Sequence, residues 1–208
     1  LMKVQARALI EAAAGRKLNI MFPMIAEPWE FDEAKAVFEH QRAYLQGQKK
    51  RLPSQIRYGA MLEVPALAEC LDLMADRLDF LSIGTNDLTQ FLFAADRSNP
   101  KLAERFDWMS PAILRFIRRA SENAERYAIP LGICGEMGGR PLDALALLGL
   151  GIRSLSITPA SVGPIKAMVR SLDLGQAKIE IEAILKEAPA QPRARLEQWA
   201  IERNVDLD

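Results

Sequence analysis

The sequence predicts a parallel α/β fold of the (β/α)8 TIM-barrel type, with about the last five βα units and a C-terminal helical segment in this chain. Short apolar segments alternate five times with longer amphipathic segments, and no hairpin signal joins two of them. This alternation is typical of parallel strands linked by helical crossovers. Polar side chains follow several strands, which favours a barrel, although a doubly wound sheet also fits the alternation.

The individual elements are predicted from apolar periodicity and from the residues that start and stop each one. Gly15 ends the first helix, and Pro28 begins the second. Strands are predicted over residues 18–25, 57–65, 80–83, 129–136 and 154–157. Helices are predicted over residues 4–14, 28–45, 66–75, 110–127 and 141–150, with another from residue 161 and a helical, solvated stretch over the last thirty or so residues.

Composition limits the classes of function. The 208 residues carry 27 Lys plus Arg and 27 Asp plus Glu, so no excess charge favours a nucleic acid or a membrane surface. No apolar stretch is long enough to span a membrane. The two cysteines, Cys70 and Cys134, are far apart, which is typical of a reducing compartment and predicts a cytoplasmic protein. We expect one domain over residues 1–208, and the start at Leu1 within a helix predicts a piece of a longer protein.

Polar side chains follow three of the predicted strands at the point where each strand ends. Glu63 follows the second strand, Asn86 and Asp87 follow the third, and Cys134 ends the fourth. Because the carboxyl ends of barrel strands converge on one mouth, we expect these side chains to lie close together. Glu63 and Asp87 would then offer two carboxylates to one Mg²⁺, which usually takes one or two in proteins.

Two further side chains suggest phosphate and proton chemistry. Arg97 lies far enough beyond Asp87 for its loop to fold back over the mouth, where a guanidinium would bind a phosphate through two hydrogen bonds. The alternative is a surface ion pair with the adjacent Asp96. Cys134 at a strand end suits an acid or a nucleophile, and its alternative is a small buried apolar side chain.

The other candidates also have structural alternatives. Glu63 would serve equally in a salt bridge at a strand end, and residues 85–87 would serve as the cap of a helix beginning near Leu88. Cys70 is expected to be buried within a helix. His40, the only histidine, lies on a polar helix face, so neither a Ser-His-Asp triad nor a His-rich zinc site is available.

Four ordered segments together resemble a known family. The segments are GAMLEVP (59–65), SIGTNDLTQ (82–90), DRSN (96–99) and GICGE (132–136). In order and spacing they resemble the phosphoenolpyruvate-binding domain of enzyme I of the bacterial phosphotransferase system, a phosphoenolpyruvate–protein phosphotransferase. Three more segments, FLFAADR (91–97), SPAILR (110–115) and ASVGPIK (160–166), are more similar to the nitrogen-related paralogue than to the sugar enzyme.

The resemblance implies a cytoplasmic TIM barrel that binds phosphoenolpyruvate and Mg²⁺ and forms a homodimer. Glu63 and Asp87 match the family's metal ligands, and Asn86 and Arg97 match groups that hold the phosphate. Cys134 matches the acid that protonates the enolate carbon as pyruvate is released. The family's phosphoryl acceptor is a histidine on a separate domain, which passes the group to a histidine-containing phosphocarrier protein.

The chain also departs from the family's pattern. We find neither the acceptor-histidine motif nor the early barrel strands, which in the family carry two arginines that bind phosphoenolpyruvate. Asn19 stands where enzyme I often has an arginine. Residues Thr158 and Pro159 replace the usual ending after the last strand. We therefore expect weak phosphoenolpyruvate affinity and no phosphotransferase activity from this chain alone. Two alternatives are a part of pyruvate phosphate dikinase or phosphoenolpyruvate synthase, and a non-catalytic dimerisation or regulatory module.

Overall fold

A four-stranded parallel sheet is the framework of the protein. The structure is a computed structural model that describes residues 1–103 and 107–207. The strands are β1 (Lys17–Phe22), β2 (Gln55–Leu62), β3 (Phe80–Gly84) and β4 (Leu131–Cys134), and they lie side by side in that order. All three pairings are parallel, which confirms the predicted parallel α/β class.

The strand order separates the two architectures that fit the sequence. A doubly wound sheet reverses its strand order at a switch point, whereas strands of a barrel follow one another in chain order. The observed order has no reversal, so the sheet corresponds to consecutive units of a barrel. The predicted fifth strand is shorter than expected. It makes one parallel bridge, between Leu155 and Ile133, with the Ile133 N–H donating to Ser154 and the Ser156 N–H donating to Ile133.

Helices connect the strands and form the C-terminal part of the chain. They are α1 (Met2–Ala12), α2 (Pro28–Gly47), α3 (Pro65–Ala68), α4 (Leu71–Met74), α5 (Thr85–Phe93), α6 (Pro100–Ala103), α7 (Pro111–Arg126), α8 (Pro141–Gly149), α9 (Val162–Ser171), α10 (Leu174–Glu187) and α11 (Pro192–Glu202). Short 3₁₀ turns lie at Met137–Gly139 and Pro159–Ser161. No helix within the described residues is both long enough and apolar enough to cross a membrane.

Two helix predictions were wrong in detail. The segment 66–75 is two short helices, α3 and α4, because Cys70 between them has φ −114° and ψ 14°, and its side chain is only partly buried. The helix after β3 begins at Thr85 rather than near Leu88. Asn86 and Asp87 therefore lie in its first turn, where backbone N–H groups and the helix dipole favour a bound anion.

The core runs from the sheet into the C-terminal helices. In α7 the apolar face is fully buried, including Ile113, Leu114 and Ile117, and Met109 just before the helix is buried too. These side chains therefore pack in the chain's own core. The last helices are not merely solvated, because α10 packs on α8 and α11 buries Trp199. His40 is exposed, as predicted.

Candidate functional site

The carboxyl ends of β2, β3 and β4 bring the predicted polar residues to one edge of the sheet. Leu62 pairs with Ile83, so Glu63 lies beside Gly84, which in turn pairs with Cys134. Asn86 and Asp87 follow within the first turn of α5. The expected convergence of strand ends is therefore present.

Glu63 is buried, and only 2% of its surface is exposed. Its Oε1 accepts a hydrogen bond of 2.8 Å from the Met24 N–H. A Cβ on Gly84 would lie 2.6 Å from Oε2, so glycine is needed to leave room for this oxygen. Burial raises the pKa of Glu63, the Met24 N–H opposes that shift, and the charge of Asp87 adds to it while Arg97 opposes it. Glu63 thus lies in a site that attracts a cation or a proton.

Arg97 returns to the mouth and faces Asp87. Its Nη2 lies 3.4 Å from Asp87 Oδ1, whereas the carboxylate of Asp96 accepts from the N–H and hydroxyl of Ser98. The return is made by a left-handed residue, Ala94 at φ 48°, which ends α5. The Arg97 N–H then donates to Gln90 Oε1 at 3.1 Å. The alternative pairing of Arg97 with Asp96 does not occur.

Cys134 lies at the end of β4 and contacts the start of α5. Its thiol donates to the Ile83 carbonyl at 3.4 Å, and its own carbonyl accepts from the Thr85 hydroxyl at 3.2 Å. Burial raises the pKa of the Cys134 thiol, a hydrogen bond with the Ser82 side chain opposes the shift, and the Glu63 charge adds to it. The thiol is therefore protonated at neutral pH, which suits a proton donor.

Gly135 fixes how closely β4 approaches α5. Its φ of +99° is a conformation that residues with a side chain rarely adopt. A Cβ at this position would lie 2.3 Å from the Thr85 hydroxyl and 3.5 Å from Asn86 Oδ1. The glycine therefore lets the first turn of α5 sit directly against the end of β4.

A cavity of about 760 Å³ opens in front of this strand edge. It is lined by Asn86, Thr89, Gln90, Ala95, Arg97, Asp107, Trp108, Glu136, Arg140 and Arg193. Of the predicted site residues, Asn86 and Arg97 line the cavity, whereas Glu63, Asp87 and Cys134 do not. Asn86 Oδ1 is buried and accepts no hydrogen bond from the described residues. An amide oxygen only accepts hydrogen bonds, so Asn86 Oδ1 is free to accept one from a donor or to contact a cation.

The lining residues that sequence reasoning missed include Trp108, Arg140 and Arg193. The Arg140 guanidinium lies 4.7 Å above the Trp108 ring, and Arg193 comes from α11 near the C-terminus. No local pattern identifies them, because each reaches the cavity only through the packing of distant elements. The lining holds three arginines against two acidic residues, Asp107 and Glu136, so it carries one positive charge in excess.

The carboxylates at the strand edge suit a magnesium ion in number and type. Among residues 1–103 and 107–207, no group of three or more His, Cys, Asp or Glu side chains is placed to hold a metal ion. Glu63 and Asp87 are two carboxylates whose charges affect one another, and Glu63 is buried with its Oε2 facing Gly84. Mg²⁺ commonly uses one or two carboxylates and completes its shell with water and substrate oxygens, so this pair fits such an ion.

The fold and this edge define a parallel α/β protein with a cavity at the carboxyl ends of its strands. The chain belongs to the family of the PEP-utilising enzyme, PEP-binding domain, whose family model matches residues 1–174. This match confirms the resemblance drawn from the four sequence segments.

Curated relatives carry related names. A phosphoenolpyruvate-protein phosphotransferase of Staphylococcus carnosus is 39% identical over 84% of this chain and 30% of its own length. One of Haemophilus influenzae is 33% identical over 99% of this chain and 36% of its own length. A Salmonella typhimurium protein named phosphoenolpyruvate-dependent phosphotransferase system is 38% identical over 84% of this chain and 24% of its own length. The chain thus spans about a quarter to a third of these relatives.

A solved structure was also matched, an HpcH/HpaI aldolase from Desulfitobacterium hafniense. It has a TM-score of 0.45 and 14% sequence identity, and the match covers 82% of this chain and 70% of the aldolase chain.

Proposed function

We propose that this chain is the phosphoenolpyruvate- and Mg²⁺-binding part of a phosphoenolpyruvate–protein phosphotransferase, which moves a phosphoryl group to a protein histidine and releases pyruvate. Membership in the family and the names of the relatives support phosphoenolpyruvate as the ligand. The observation that carries the proposal is the cluster of Glu63, Asp87 and Arg97 beside the buried, unpartnered Oδ1 of Asn86. This cluster offers groups for a cation and for a phosphate at one strand edge.

Glu63 and Asp87 would hold the Mg²⁺ ion. Asp87 is partly exposed and Glu63 is buried, so one carboxylate faces the ligand while the other is fixed by the Met24 N–H. When bound, the cation offsets the negative charge that develops on the phosphoryl and enolate oxygens. The raised pKa of Glu63 is consistent with a carboxylate placed for a cation.

Arg97 and Asn86 would hold the phosphate. The 3.4 Å separation between Arg97 and Asp87 is longer than a charge-assisted hydrogen bond of about 2.7–2.9 Å, so the guanidinium keeps donors for a phosphate. Asn86 lies in the first turn of α5, where backbone N–H groups also favour an anion. Together these groups orient the phosphoryl group for transfer, which in this chemistry is mainly a matter of position and charge.

Cys134 would complete the reaction by protonating the product. As the bond between the enolate oxygen and phosphorus breaks, the phosphoryl group passes to the acceptor histidine and the electron pair remains on the enolate. The enolate carbon then takes the thiol proton of Cys134 to give pyruvate, and the thiolate regains a proton from solvent. The raised pKa keeps the thiol protonated and therefore ready for this step.

The remaining parts of the reaction lie with partners. We propose that an acceptor histidine and a histidine-containing phosphocarrier protein act with this chain, that the protein works in the cytoplasm as a homodimer, and that it is the nitrogen-related paralogue. We further propose that residues 1–208 form the C-terminal part of a single barrel domain. A part of a dikinase or synthase is the alternative. In either case we expect no phosphotransfer from this chain alone.

Exchange of the methyl protons of pyruvate tests the proposal without an acceptor histidine. If Cys134 protonates the enolate, then the same group removes a methyl proton from bound pyruvate in the reverse direction. We expect proton NMR in D₂O to show loss of the methyl signal with Mg²⁺ and millimolar pyruvate. Cys134→Ala should abolish the exchange, and Cys70→Ala, the matched control, should retain it. Equal exchange in wild type and Cys134→Ala, or none in wild type, contradicts the proposal.

A further inference from the structure

One wall of the cavity is tied to α11 by Arg193. This residue lies in α11, beyond residues 1–174 that match the family model. Its Nε and Nη2 donate to Asp107 at 2.7 and 2.6 Å, and Nη2 also donates to Asp143 at 2.7 Å. Arg193 therefore joins the segment before α7 to the first turn of α8.

The contact with Asp143 is a buried one. Asp143 has no exposed surface, and its Oδ2 accepts no hydrogen bond from the described residues. Burial raises the pKa of Asp143, and Arg193 opposes that shift. Because a buried carboxylate is costly without a partner, Arg193 has to stay in place for Asp143 to remain charged.

The contact with Asp107 fixes the residue that follows it. Asp107 Oδ1 also accepts from the Met109 N–H at 2.9 Å, which closes a turn around Trp108. Burial acts to raise the pKa of Asp107, but the hydrogen bonds from Arg193 and from Met109 outweigh it and lower the pKa. The turn that presents Trp108 to the cavity is thus held by a charged acceptor with several donors.

Trp108 and Arg140 form the cavity wall between the two tied segments. Arg140 is the residue immediately before α8, and its guanidinium carbon lies 4.7 Å from the centroid of the Trp108 ring. A guanidinium held against an aromatic ring in this way keeps N–H groups for another acceptor, such as a ligand oxygen. Arg193 joins the same two segments and itself lines the cavity beside them.

We propose that Arg193 is a positioning residue for the anion-binding cavity, which it serves by holding Asp107 and Asp143 so that Trp108 and Arg140 form one wall. The identity of the ligand, phosphoenolpyruvate, rests on the proposed function. The geometry of the wall does not depend on the proposed function. Ligand identity and wall geometry are therefore measured separately.

A matched pair of variants in the same helix separates this role from general loss of ion pairs. Arg195 in α11 also bonds two carboxylates, Glu180 at 2.7 Å and Glu187 at 2.5 Å, and does not line the cavity. We expect Arg193→Gln to speed hydrogen exchange of the Met109 amide and to weaken binding of phosphoenolpyruvate with Mg²⁺ about tenfold or more, because a displaced wall loses oriented contacts. Arg195→Gln should leave both unchanged.

A double variant removes the effect of stability. Arg193→Gln leaves the buried Asp143 carboxyl without its charged partner, so a loss of binding by this variant alone could reflect unfolding. In Arg193→Gln/Asp143→Asn that carboxyl is gone, and we expect the melting temperature to recover towards that of wild type while binding stays weak. Recovery of full binding together with stability overturns the proposal, as does unchanged Met109 exchange in Arg193→Gln. If wild type binds no phosphoenolpyruvate, the proposed function fails, and Met109 exchange decides the role of Arg193.

Discussion

Replacing Gly135 by alanine tests how tightly β4 and α5 are joined at the site. The change forces a side chain onto a residue at φ +99° and places its Cβ 2.3 Å from the Thr85 hydroxyl. Thr85 is fully buried and its carbonyl accepts from the Thr89 hydroxyl at 2.8 Å, so it has little room to move away.

The expected cost follows from these two effects. A backbone conformation of this kind costs roughly 1–3 kcal/mol for a residue with a Cβ. Overpacking a closed site costs roughly 1–3 kcal/mol more. In a protein of this size each kcal/mol lowers the melting temperature by about 2–4 °C, so we expect a fall of at least about 4 °C. Displacement of Thr85 also moves the neighbouring Asn86, which should weaken ligand binding.

Thermal unfolding followed by circular dichroism measures the first effect, and phosphoenolpyruvate titration measures the second. The matched control is Gly163→Ala in α9, where an added Cβ meets nothing within 4 Å. That change should leave ligand binding intact and stabilise the helix by about 0.5–1 kcal/mol. If Gly135→Ala melts at the wild-type temperature and binds the ligand equally well, the close approach of β4 to α5 has been misassigned.

Three further outcomes are expected. Burial raises the pKa of Glu63, so the contribution of Glu63 to stability is present at acidic pH and is lost as pH rises through that pKa. Glu63→Gln should therefore be at least as stable as wild type in urea at pH 7, and the difference should vanish in acid. The Mg²⁺ affinity of this variant should fall. A less stable Glu63→Gln at pH 7 contradicts this reasoning. Leu114→Ala should lower the free energy of unfolding by about 2–5 kcal/mol, because Leu114 is buried in the chain's own core. The sedimentation coefficient should not change. A change in oligomeric state would instead place Leu114 at an interface. Burial raises the pKa of the Cys134 thiol, so its alkylation by iodoacetamide should be slow at neutral pH and accelerate only in alkaline solution. Fast alkylation at pH 7 would indicate a thiolate and contradict this expectation.

The sequence predicted the sheet edge well because that part of the fold depends on local pattern. Apolar segments that alternate with helices require parallel strands, and parallel strands share a carboxyl edge. The positions at the ends of three neighbouring strands therefore predicted one edge for Glu63, Asn86 and Cys134. The weak fifth strand was harder to predict, because residues 154–157 bond to β4 through only one bridge.

The far wall of the cavity was not predictable from the sequence. Arg193 reaches it because α11 packs back towards α7 and α8, and no pattern near Arg193 signals that contact. The return of Arg97 to Asp87 depends on Ala94 in a left-handed conformation, which alanine seldom adopts. Asp143 reads as an ordinary polar residue in the first turn of a helix, yet it is completely buried. Each of these features is set by tertiary packing.

Calorimetric titration of phosphoenolpyruvate in the presence and absence of Mg²⁺ tests the central claim most directly. The variant is Asp87→Ala, and the control is Asp96→Ala in the same loop, whose carboxylate accepts hydrogen bonds from Ser98 and not from Arg97. We expect wild type and Asp96→Ala to bind phosphoenolpyruvate in a Mg²⁺-dependent way. Loss of a charged contact of about 1.5–3 kcal/mol should weaken binding by Asp87→Ala about tenfold or more. Equal, Mg²⁺-independent binding by all three proteins would contradict the assignment of Asp87 and Glu63 as the metal site.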